Sequence, residues 1–328
     1  MTGKRRILSG MRPTGPLHLG NWHGALINWV KMQKEYDCFF FIADWHALTS
    51  DYEKTGSISK NIHDMIIDWL SVDLSPEKST LFIQSQVKEH AELFLILSMI
   101  TPVPWLERNP TYKDQIVQLS NKDLSTFGFL GYPVLQAADI IMYKPFGVPV
   151  GSDQVPHVEI TREIARRFNF LYGDTFPEPE AVLTQTPKIL GTDRRKMSKS
   201  YDNAIYLSDD PDVIAEKVSS MITDPQRARR KDPGNPDVCN VFDFHKLYTE
   251  KETIEHIDKE CRVADIGCVG CKKIMAKNLI KTLEPVQNKR KYYLSRPELV
   301  DQIIRDGTQK ARNVAQQTME EVRAAVKI

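Results

Sequence analysis

The chain has 328 residues, of which 41% are hydrophobic and 27% are charged. These proportions are typical of a globular protein of about two domains, and they exclude a disordered or collagen-like chain. The 44 Lys and Arg residues nearly balance the 43 Asp and Glu residues, so the net charge of +1 indicates no partner by itself. Any basic surface for nucleic acid must therefore be local.

Neither a membrane span nor a signal peptide is predicted. The apolar runs fall well short of the roughly 18 residues that indicate a transmembrane helix. The basic start of the chain is followed by only a short apolar stretch before Gly10, whereas a signal peptide needs a longer apolar core. We therefore expect a cytoplasmic protein that does not enter the membrane.

The first half of the chain alternates short apolar runs with longer amphipathic ones. Residues 7–9, 39–43 and 79–83 have the composition of buried strands. Residues 57–72 and 89–100 carry apolar side chains at helical spacing. Strands separated by helices predict a parallel α/β sheet, which binds ligands at the carboxyl ends of its strands.

The second half differs, since few strand-like runs follow Ser200. Gly307 is a point at which the last predicted helix could divide into two. We therefore predict an α/β domain over residues 1–200 and a helical domain over residues 201–328. The helices predicted in the second half are residues 211–222, 254–263, 271–283 and 297–326.

A glycine-containing loop between the first strand and a helix forms the first motif, residues 9–21. Such a loop can bind a phosphate, because free backbone N–H groups and the positive end of the helix face the anion. Gly20 would permit the close approach of a nucleotide, and His18 and Asn21 supply hydrogen-bond donors. By itself the motif is equally well explained as a tight turn before a helix.

The second motif is a basic loop of sequence Lys-Met-Ser-Lys-Ser at residues 196–200. Two ammonium groups and two hydroxyls in a short loop suit a pyrophosphate, because they can neutralise the charge that grows on transferring phosphates. By itself this loop is more simply explained as a solvated basic turn.

The two motifs together are far more specific than either one. A His-x-Gly-Asn sequence near the first strand and a Lys-Met-Ser-Lys-Ser sequence about 180 residues later form the paired signature of class I aminoacyl-tRNA synthetases. Over nearly its whole length the chain resembles the bacterial tryptophanyl-tRNA synthetases. The further segments that carry this resemblance are residues 43–49, 131–139, 148–154 and 159–169.

The resemblance implies a Rossmann-like catalytic domain that activates L-tryptophan with ATP and then transfers it to tRNA(Trp). It implies Mg²⁺ with the triphosphate, without assigning a protein ligand to that ion. The residues that it assigns to catalysis are His18, Lys196, Ser198 and Lys199. The residues that it assigns to ATP are Arg12, Pro13, Thr14, Gly20, Asn21, Gly151, Ser152, Asp153, Ile189, Lys196, Met197, Ser198, Lys199 and Ser200.

Tryptophan recognition is assigned to a pocket around Asp139. In the family the matching carboxylate accepts the indole N–H, and a buried acceptor left unpaired makes the wrong ligand costly. Many bacterial relatives have Met where this chain has Gln136, so a more polar pocket floor is expected. The pattern Tyr-x-x-x-Gln-x-x-Asp also occurs in tyrosyl-tRNA synthetases, so tyrosine is the alternative substrate. The other residues implied for this pocket are Tyr132, Gln136, Gln154 and His46.

Four of the five cysteines fall within 33 residues: Cys239, Cys261, Cys268 and Cys271. Cys38 stands apart in an apolar run that predicts buried core. A large cytosolic chain does not need disulfides, so the group of four predicts a metal site, either Zn²⁺ or a [4Fe–4S] cluster. A second short Cys-x-x-Cys is missing, and some bacterial tryptophanyl-tRNA synthetases carry a [4Fe–4S] cluster here. Both points favour iron–sulfur, with Zn²⁺ as the alternative.

The segment that follows the cysteines concentrates positive charge. Residues 269–296 contain eight Lys and Arg residues and a single acid, Glu284, for a net charge of +7. This charge suits phosphate contacts with RNA, and in the helical half it indicates binding of the anticodon arm. A smaller basic patch lies at residues 227–231.

The resemblance also implies a homodimer with tRNA contacting both subunits, and a last helix that packs on the catalytic domain. One interpretation from a different functional class stays open, an RNA-binding or redox-sensing paralogue that kept the fold and lost catalysis. Intact His18, Gly20, Asp139 and both loop lysines argue against such a loss.

Overall fold

The computed structural model describes residues 3–110, 112, 113, 116, 124–184 and 189–328. The chain divides into two compact units, each discontinuous in sequence. This division differs from the predicted boundary at residue 200, since the last helix groups with the first unit and residues 16–27 with the second. The first unit consists of Met1–Gly15, Asn28–Thr186 and Arg296–Ile328, and the second of Pro16–Ile27 and Pro187–Ser295.

A parallel sheet lies at the centre of the first unit, and its described strands follow the order β3-β2-β1-β4-β5. All neighbouring pairs in that order run parallel. β2 and β3 are buried almost throughout instead of alternating, as expected for a sheet covered on both faces. The order of the strands reverses between β1 and β4, where such sheets bind ligands. The strands are β1 (Arg6–Met11), β2 (Asp37–Ile42), β3 (Ser79–Ile83), β4 (Gly147–Val150) and β5 (Glu180–Leu183).

The helices of the first half follow the predicted periodicity closely, and the predicted helix at residues 89–100 has the observed bounds. A short π-helix, Trp22–Leu26, connects α1 to α2. The helix α7 packs against both α5 and α8, and these helices share one buried apolar core with the sheet. The helices are α1 (Leu19–Asn21), α2 (Ile27–Met32), α3 (Asp44–Asp51), α4 (Ile58–Ser71), α5 (Glu89–Ile100), α6 (Val103–Glu107), α7 (Phe127–Met142) and α8 (Val155–Tyr172).

The second unit is mainly helical. Its helix α12 extends well beyond the predicted residues 271–283, because its second half is polar and contains Pro285, which hides the helical period. Residues 16–27 join this unit through backbone hydrogen bonds, from Leu19 to Ile205 at 3.0 Å and from Leu207 to Leu17 at 2.9 Å. The helices are α9 (Pro211–Ser220), α10 (Asn240–Tyr248), α11 (Lys251–Arg262) and α12 (Cys268–Leu294).

The last helix, α13 (Pro297–Val326), belongs to the first unit and is continuous, so the predicted break at Gly307 is wrong. Gly307 is instead a point of close packing, since a Cβ there would overlap the backbone carbonyl of Leu81 in β3. Arg323 adds two hydrogen bonds of 2.7 and 2.6 Å to the carboxylate of Glu92 on α5. In the described part of the chain, no helix is long and apolar enough to cross a membrane.

Candidate active site

Asp139 lies on α7 together with two other residues of the predicted pocket. Tyr132, Gln136 and Asp139 are spaced by four and three residues, which places them on one side of the helix. Asp139 has no exposed surface, Tyr132 is buried and Gln136 is half-buried. Burial of a carboxylate is strongly unfavourable unless hydrogen-bond donors meet its oxygens.

Among the described residues, three side chains from different elements donate to Asp139. Gln84 Nε2 donates to both carboxylate oxygens at 2.9 and 2.8 Å. His46 Nε2 lies 2.9 Å from Oδ2, and His90 Nδ1 lies 2.5 Å from Oδ1. Burial opposes the charged form, but the interactions with His90 and His46 outweigh it, so the pKa of Asp139 lies below its ordinary value. The pocket therefore holds an ionised carboxylate that is excluded from water.

Sequence reasoning assigned His46 and Asp139 to this pocket and missed Gln84 and His90. Gln84 directly follows β3, at the sheet edge where ligand sites form, and that position was an available signal. No sequence pattern marks His90 on α5. The Gln84 side chain is itself held in place, because its Oε1 accepts the backbone N–H of Trp45 at 3.1 Å.

Arg12 follows β1 directly, and the N–H of Thr14 donates to the Arg12 carbonyl at 2.8 Å to form a tight turn around the buried Pro13. The Arg12 guanidinium donates to the Ser50 hydroxyl and lies 3.5 Å from the Asp51 carboxylate. Burial lowers the pKa of Arg12, and Asp51 opposes that shift. Its Nε is buried without a partner among the described residues, so it is a donor that an acceptor on a ligand could satisfy.

The predicted ribose and adenosine residues follow β4. Gly151 is extended, and Ser152–Gln154 form a 3-10 turn that leads into α8. Because β4 is the parallel neighbour of β1, this turn and Arg12 lie at the same edge of the sheet. The first unit therefore places the predicted Gln154 and the residues before it at the expected ligand-binding edge.

In the second unit, His18 caps α1 through a reciprocal pair of hydrogen bonds. Its Nδ1 accepts the N–H of Asn21 at 3.3 Å, and the Asn21 side chain accepts the N–H of His18 at 3.1 Å. Burial, followed by the charges of Lys199 and Lys196, lowers the pKa of His18 to about 4. His18 is thus a neutral imidazole at pH 7, with its hydrogen on Nε2. A Cβ at position 20 would lie 2.9 Å from this ring, so any residue larger than glycine there would clash with the imidazole.

The lysine loop is the second arm of a hairpin, in which the N–H of Met197 donates to the carbonyl of Ile189 at 3.3 Å. The side chain of Asn203, which was not predicted from the sequence, makes two hydrogen bonds to the backbone of this loop. Its Oδ1 accepts the N–H of Ser198 at 2.8 Å, and its Nδ2 donates to the carbonyl of Lys196 at 3.2 Å. These bonds run to the loop backbone and shape it.

The four predicted metal ligands lie in one region of the second unit. Burial, followed by the electrostatic influence of the neighbouring Cys239, Cys261 and Cys268, raises the pKa of Cys271 to about 12. Arg227 Nη1 lies 3.7 Å from the Cys261 sulfur and 3.9 Å from the Cys268 sulfur. The Arg227 Nε is a buried donor without a partner among the described residues. A cation and an unpaired donor beside these sulfur atoms would stabilise negative charge on them.

Within the described ranges, no three His, Cys, Asp or Glu side chains converge in the way a metal ion requires.

The basic segment after the cysteines lies largely on α12. Lys273, Lys277 and Lys281 recur at four-residue spacing on its exposed side. The opposite side is buried through Met275, Ala276, Leu279, Leu283 and Val286. The helix therefore presents a row of ammonium groups to the solvent.

The sheet and these loops define a class of protein. A family model described as "tRNA synthetases class I (W and Y)" matches residues 1–284. The chain belongs to this family of class I aminoacyl-tRNA synthetases.

Two relatives that match this chain over nearly its full length are named for tryptophan. The "Tryptophan--tRNA ligase" of Thermotoga maritima is 53% identical over 325 residues, which cover 98% of this chain and 99% of that protein. The protein of the same name from Aquifex aeolicus is 48% identical over 393 residues, which cover 98% of this chain and 100% of that protein. The solved tryptophanyl-tRNA synthetase of Campylobacter jejuni, complexed with ADP and tryptophan, matches with a TM-score of 0.91 at 33% identity, over 98% of this chain and 100% of that one.

Proposed function

We propose that this chain is a tryptophan–tRNA ligase. The tryptophan carboxylate attacks the α-phosphorus of ATP, pyrophosphate leaves, and the aminoacyl group of the adenylate then passes to tRNA(Trp). No covalent enzyme intermediate is needed, so positioning and electrostatics supply the acceleration. The observation that carries the proposal is Asp139, an ionised and wholly buried acceptor beside the ligand-binding edge of the sheet.

Asp139 selects the substrate by accepting the indole N–H. An apolar slot alone separates similar rings weakly, whereas a buried acceptor disfavours any ring that leaves it unpaired. His46 Nε2 already bonds this carboxylate, and Tyr132 and Gln136 share its helix face. We assign these residues, with Gln154, to the tryptophan pocket.

His18, Lys196 and Lys199 act on the triphosphate. The neutral His18 donates its Nε2–H to a phosphate oxygen, and the low pKa keeps this donor unchanged across neutral pH. The lysines neutralise the negative charge that gathers on the departing pyrophosphate, and Ser198 adds a hydroxyl donor. Mg²⁺ accompanies the triphosphate and is not assigned a protein ligand.

The remaining ATP contacts come from the turns at the ends of β1 and β4 and from the lysine hairpin. The unpaired Nε of Arg12 suits an anionic oxygen of the substrates. The residues assigned to these contacts are Arg12, Pro13, Thr14, Gly20, Asn21, Gly151, Ser152, Asp153, Ile189, Met197 and Ser200.

The exposed lysines of α12 bind the phosphates of the tRNA anticodon arm. Phosphate contacts release counterions, so their contribution to the affinity falls as the salt concentration rises. Charge reversal at Lys273 and Lys277 should weaken tRNA binding and flatten its salt dependence, without changing tryptophan activation.

We further propose that the four cysteines bind a [4Fe–4S] cluster, with Zn²⁺ as the alternative occupant, although no three side chains of the described residues already converge as a metal ion requires. The all-sulfur donor set and the Arg227 guanidinium suit either centre, and the cysteine spacing favours iron–sulfur. When bound, a cluster would supply a redox-active centre that also links α11 to α12. Iron and sulfide analysis of anaerobically purified protein, with its absorption spectrum, tests the assignment. One equivalent of zinc without visible absorption would overturn it.

The chain forms a homodimer. Three apolar side chains from α5 to α6, Leu95, Met99 and Val103, are half exposed or more, which is unfavourable for a lone chain in water. A second copy of this chain is the occupant that the family resemblance implies. Sedimentation of the wild type and of Met99→Glu tests this, and a wild-type monomer would contradict it.

Amino-acid-dependent ATP–pyrophosphate exchange, with tryptophan and tyrosine in parallel, tests the main proposal. Exchange with tryptophan alone is expected. Exchange with tyrosine alone would keep the mechanism and overturn the substrate. The absence of exchange with both, from folded protein, would favour the paralogue that lost catalysis.

A further inference from the structure

The Asp139 carboxylate has two sides that differ in their surroundings. Oδ1 receives His90 and Gln84, both of which are fully buried. Oδ2 receives Gln84 and His46, and the His46 side chain is 10% exposed. Of the three partners, His46 is thus the one that an incoming ligand can replace. Oδ2 is the oxygen that this exchange would free.

His90 also makes a hydrogen bond to a phenol, through the ring nitrogen that does not contact Asp139. Its Nε2 lies 2.7 Å from the Tyr143 hydroxyl, and its Nδ1 lies 2.5 Å from Asp139 Oδ1. Tyr143 has no exposed surface, and burial raises the pKa of its hydroxyl well above the ordinary value. The phenol therefore keeps its hydrogen and can donate it to Nε2.

This chain of hydrogen bonds determines the direction of the His90 donor. When Tyr143 donates to Nε2, the neutral imidazole must carry its hydrogen on Nδ1, which points at Asp139. A protonated imidazole would also donate from Nδ1. In both charge states the carboxylate receives an N–H from His90.

Packing fixes the plane of the His90 ring. The rings of Phe41 and Phe82 both lie with their centroids 6.2 Å from that of His90, and the Tyr143 ring lies at 5.4 Å. All of these rings are buried. The His90 imidazole therefore has little freedom to turn away from Asp139.

We propose that His90, oriented by Tyr143, is a positioning residue for tryptophan specificity, which anchors Asp139 Oδ1 so that Oδ2 can exchange His46 for the indole N–H. The inference rests on the proposed function, because it concerns the same pocket and the same substrate. Neither His90 nor Tyr143 contacts the substrate, so both act through Asp139. Their loss should reduce the selectivity for an N–H donor more than it reduces binding of the ring.

Tyr143→Phe is the direct test, since it removes one hydroxyl and keeps the ring. The readout is the ratio of kcat/KM in pyrophosphate exchange for tryptophan over that for 3-benzothienyl-L-alanine, a ring of similar shape without an N–H. We expect this ratio to fall about tenfold, the effect of weakening one buried hydrogen bond to a charged group. The KM for ATP should stay the same.

A second pair of variants keeps the proposal testable if Tyr143→Phe folds poorly. His90→Leu removes the donor, whereas His90→Asn places an amide N–H near the position of Nδ1. The selectivity ratio should fall about a hundredfold in His90→Leu, the upper end of the effect of losing one buried hydrogen bond to a charged group, and His90→Asn should recover most of that loss. Failure of the asparagine to recover more than the leucine would overturn the positioning role.

Tyr248→Phe is the matched control, because Tyr248 and His23 make a hydrogen bond of the same kind and length, 2.7 Å, within the second unit. This variant should leave the selectivity ratio unchanged. Equal losses for tryptophan and the analogue in Tyr143→Phe would indicate a merely structural role. Lack of tryptophan-dependent exchange in the wild type would instead refute the proposed function, so the two failures are distinguishable.

Discussion

Asp139 in the first unit and the lysines of residues 196–200 in the second are both charged, but their surroundings differ. Asp139 is wholly buried and receives N–H groups from three side chains, whereas Lys196 is exposed and Lys199 is half-buried. A buried charge needs partners before the ligand arrives, while an exposed ammonium group is solvated until it binds a phosphate. The first arrangement suits selection between similar rings, and the second suits stabilisation of charge that develops during the reaction.

Asp139→Asn should produce the largest effect, because it removes the charge and brings an amide N–H into a pocket already full of donors. We expect kcat/KM for tryptophan to fall by about 10³ or more. The analogue 3-benzothienyl-L-alanine should lose much less. Steady-state pyrophosphate exchange with both amino acids measures this, and equal losses would contradict the role of Asp139 in selection.

Lys199→Ala should reduce kcat by about 10² to 10³, the range found when one donor to a developing charge is removed. The KM for tryptophan should change little, since the lysine acts on pyrophosphate. Lys60→Ala, which removes an exposed lysine from α4, is the control for net charge. A raised KM for tryptophan with normal kcat would show that the loop acts on binding of the amino acid.

Gly307→Ala tests whether the first unit is as tightly packed at α13 as it is around Asp139. The new methyl group would overlap the Leu81 carbonyl, so we expect a loss of about 2 kcal/mol in the free energy of unfolding. Gly128→Ala, also in a helix, meets no atom within 4 Å and should stabilise by about 0.5 kcal/mol. Urea unfolding compares the two, and equal effects would mean that α13 is not tightly packed at Gly307.

The smallest effect concerns pH and His18. Its pKa of about 4 in the folded chain lies below the ordinary value of 6.5, so the folded state favours the neutral ring. Stability from this group is therefore complete above pH 6.5 and is lost as the pH falls towards 4. His18→Asn keeps a capping side chain and should lose less stability than the wild type between pH 7 and pH 5. Urea midpoints at both pH values measure this, and identical losses would contradict it.

The candidate site could be predicted in part because its two loops are short sequences of specific composition. His18, Gly20 and Asn21 lie within one turn, and the lysine loop occupies five consecutive residues. Asn203, which shapes that loop, was not predicted, since Asn is also common in turns that have no such role. Gln84 and His90 were missed because their partner Asp139 is 55 and 49 residues away along the chain.

The local sequence was enough to predict the motifs and several of the helices and strands, because hydrophobic period and loop composition are properties of neighbouring residues. The predicted strand at residues 79–83 and the helix at 297–326 have the observed bounds for this reason. In contrast, tertiary packing brings Gly307 against a strand instead of breaking the helix there, and it brings His90 between Tyr143 and Asp139. Such contacts join residues that are distant along the chain, and the packing of the whole core brings them within hydrogen-bond range.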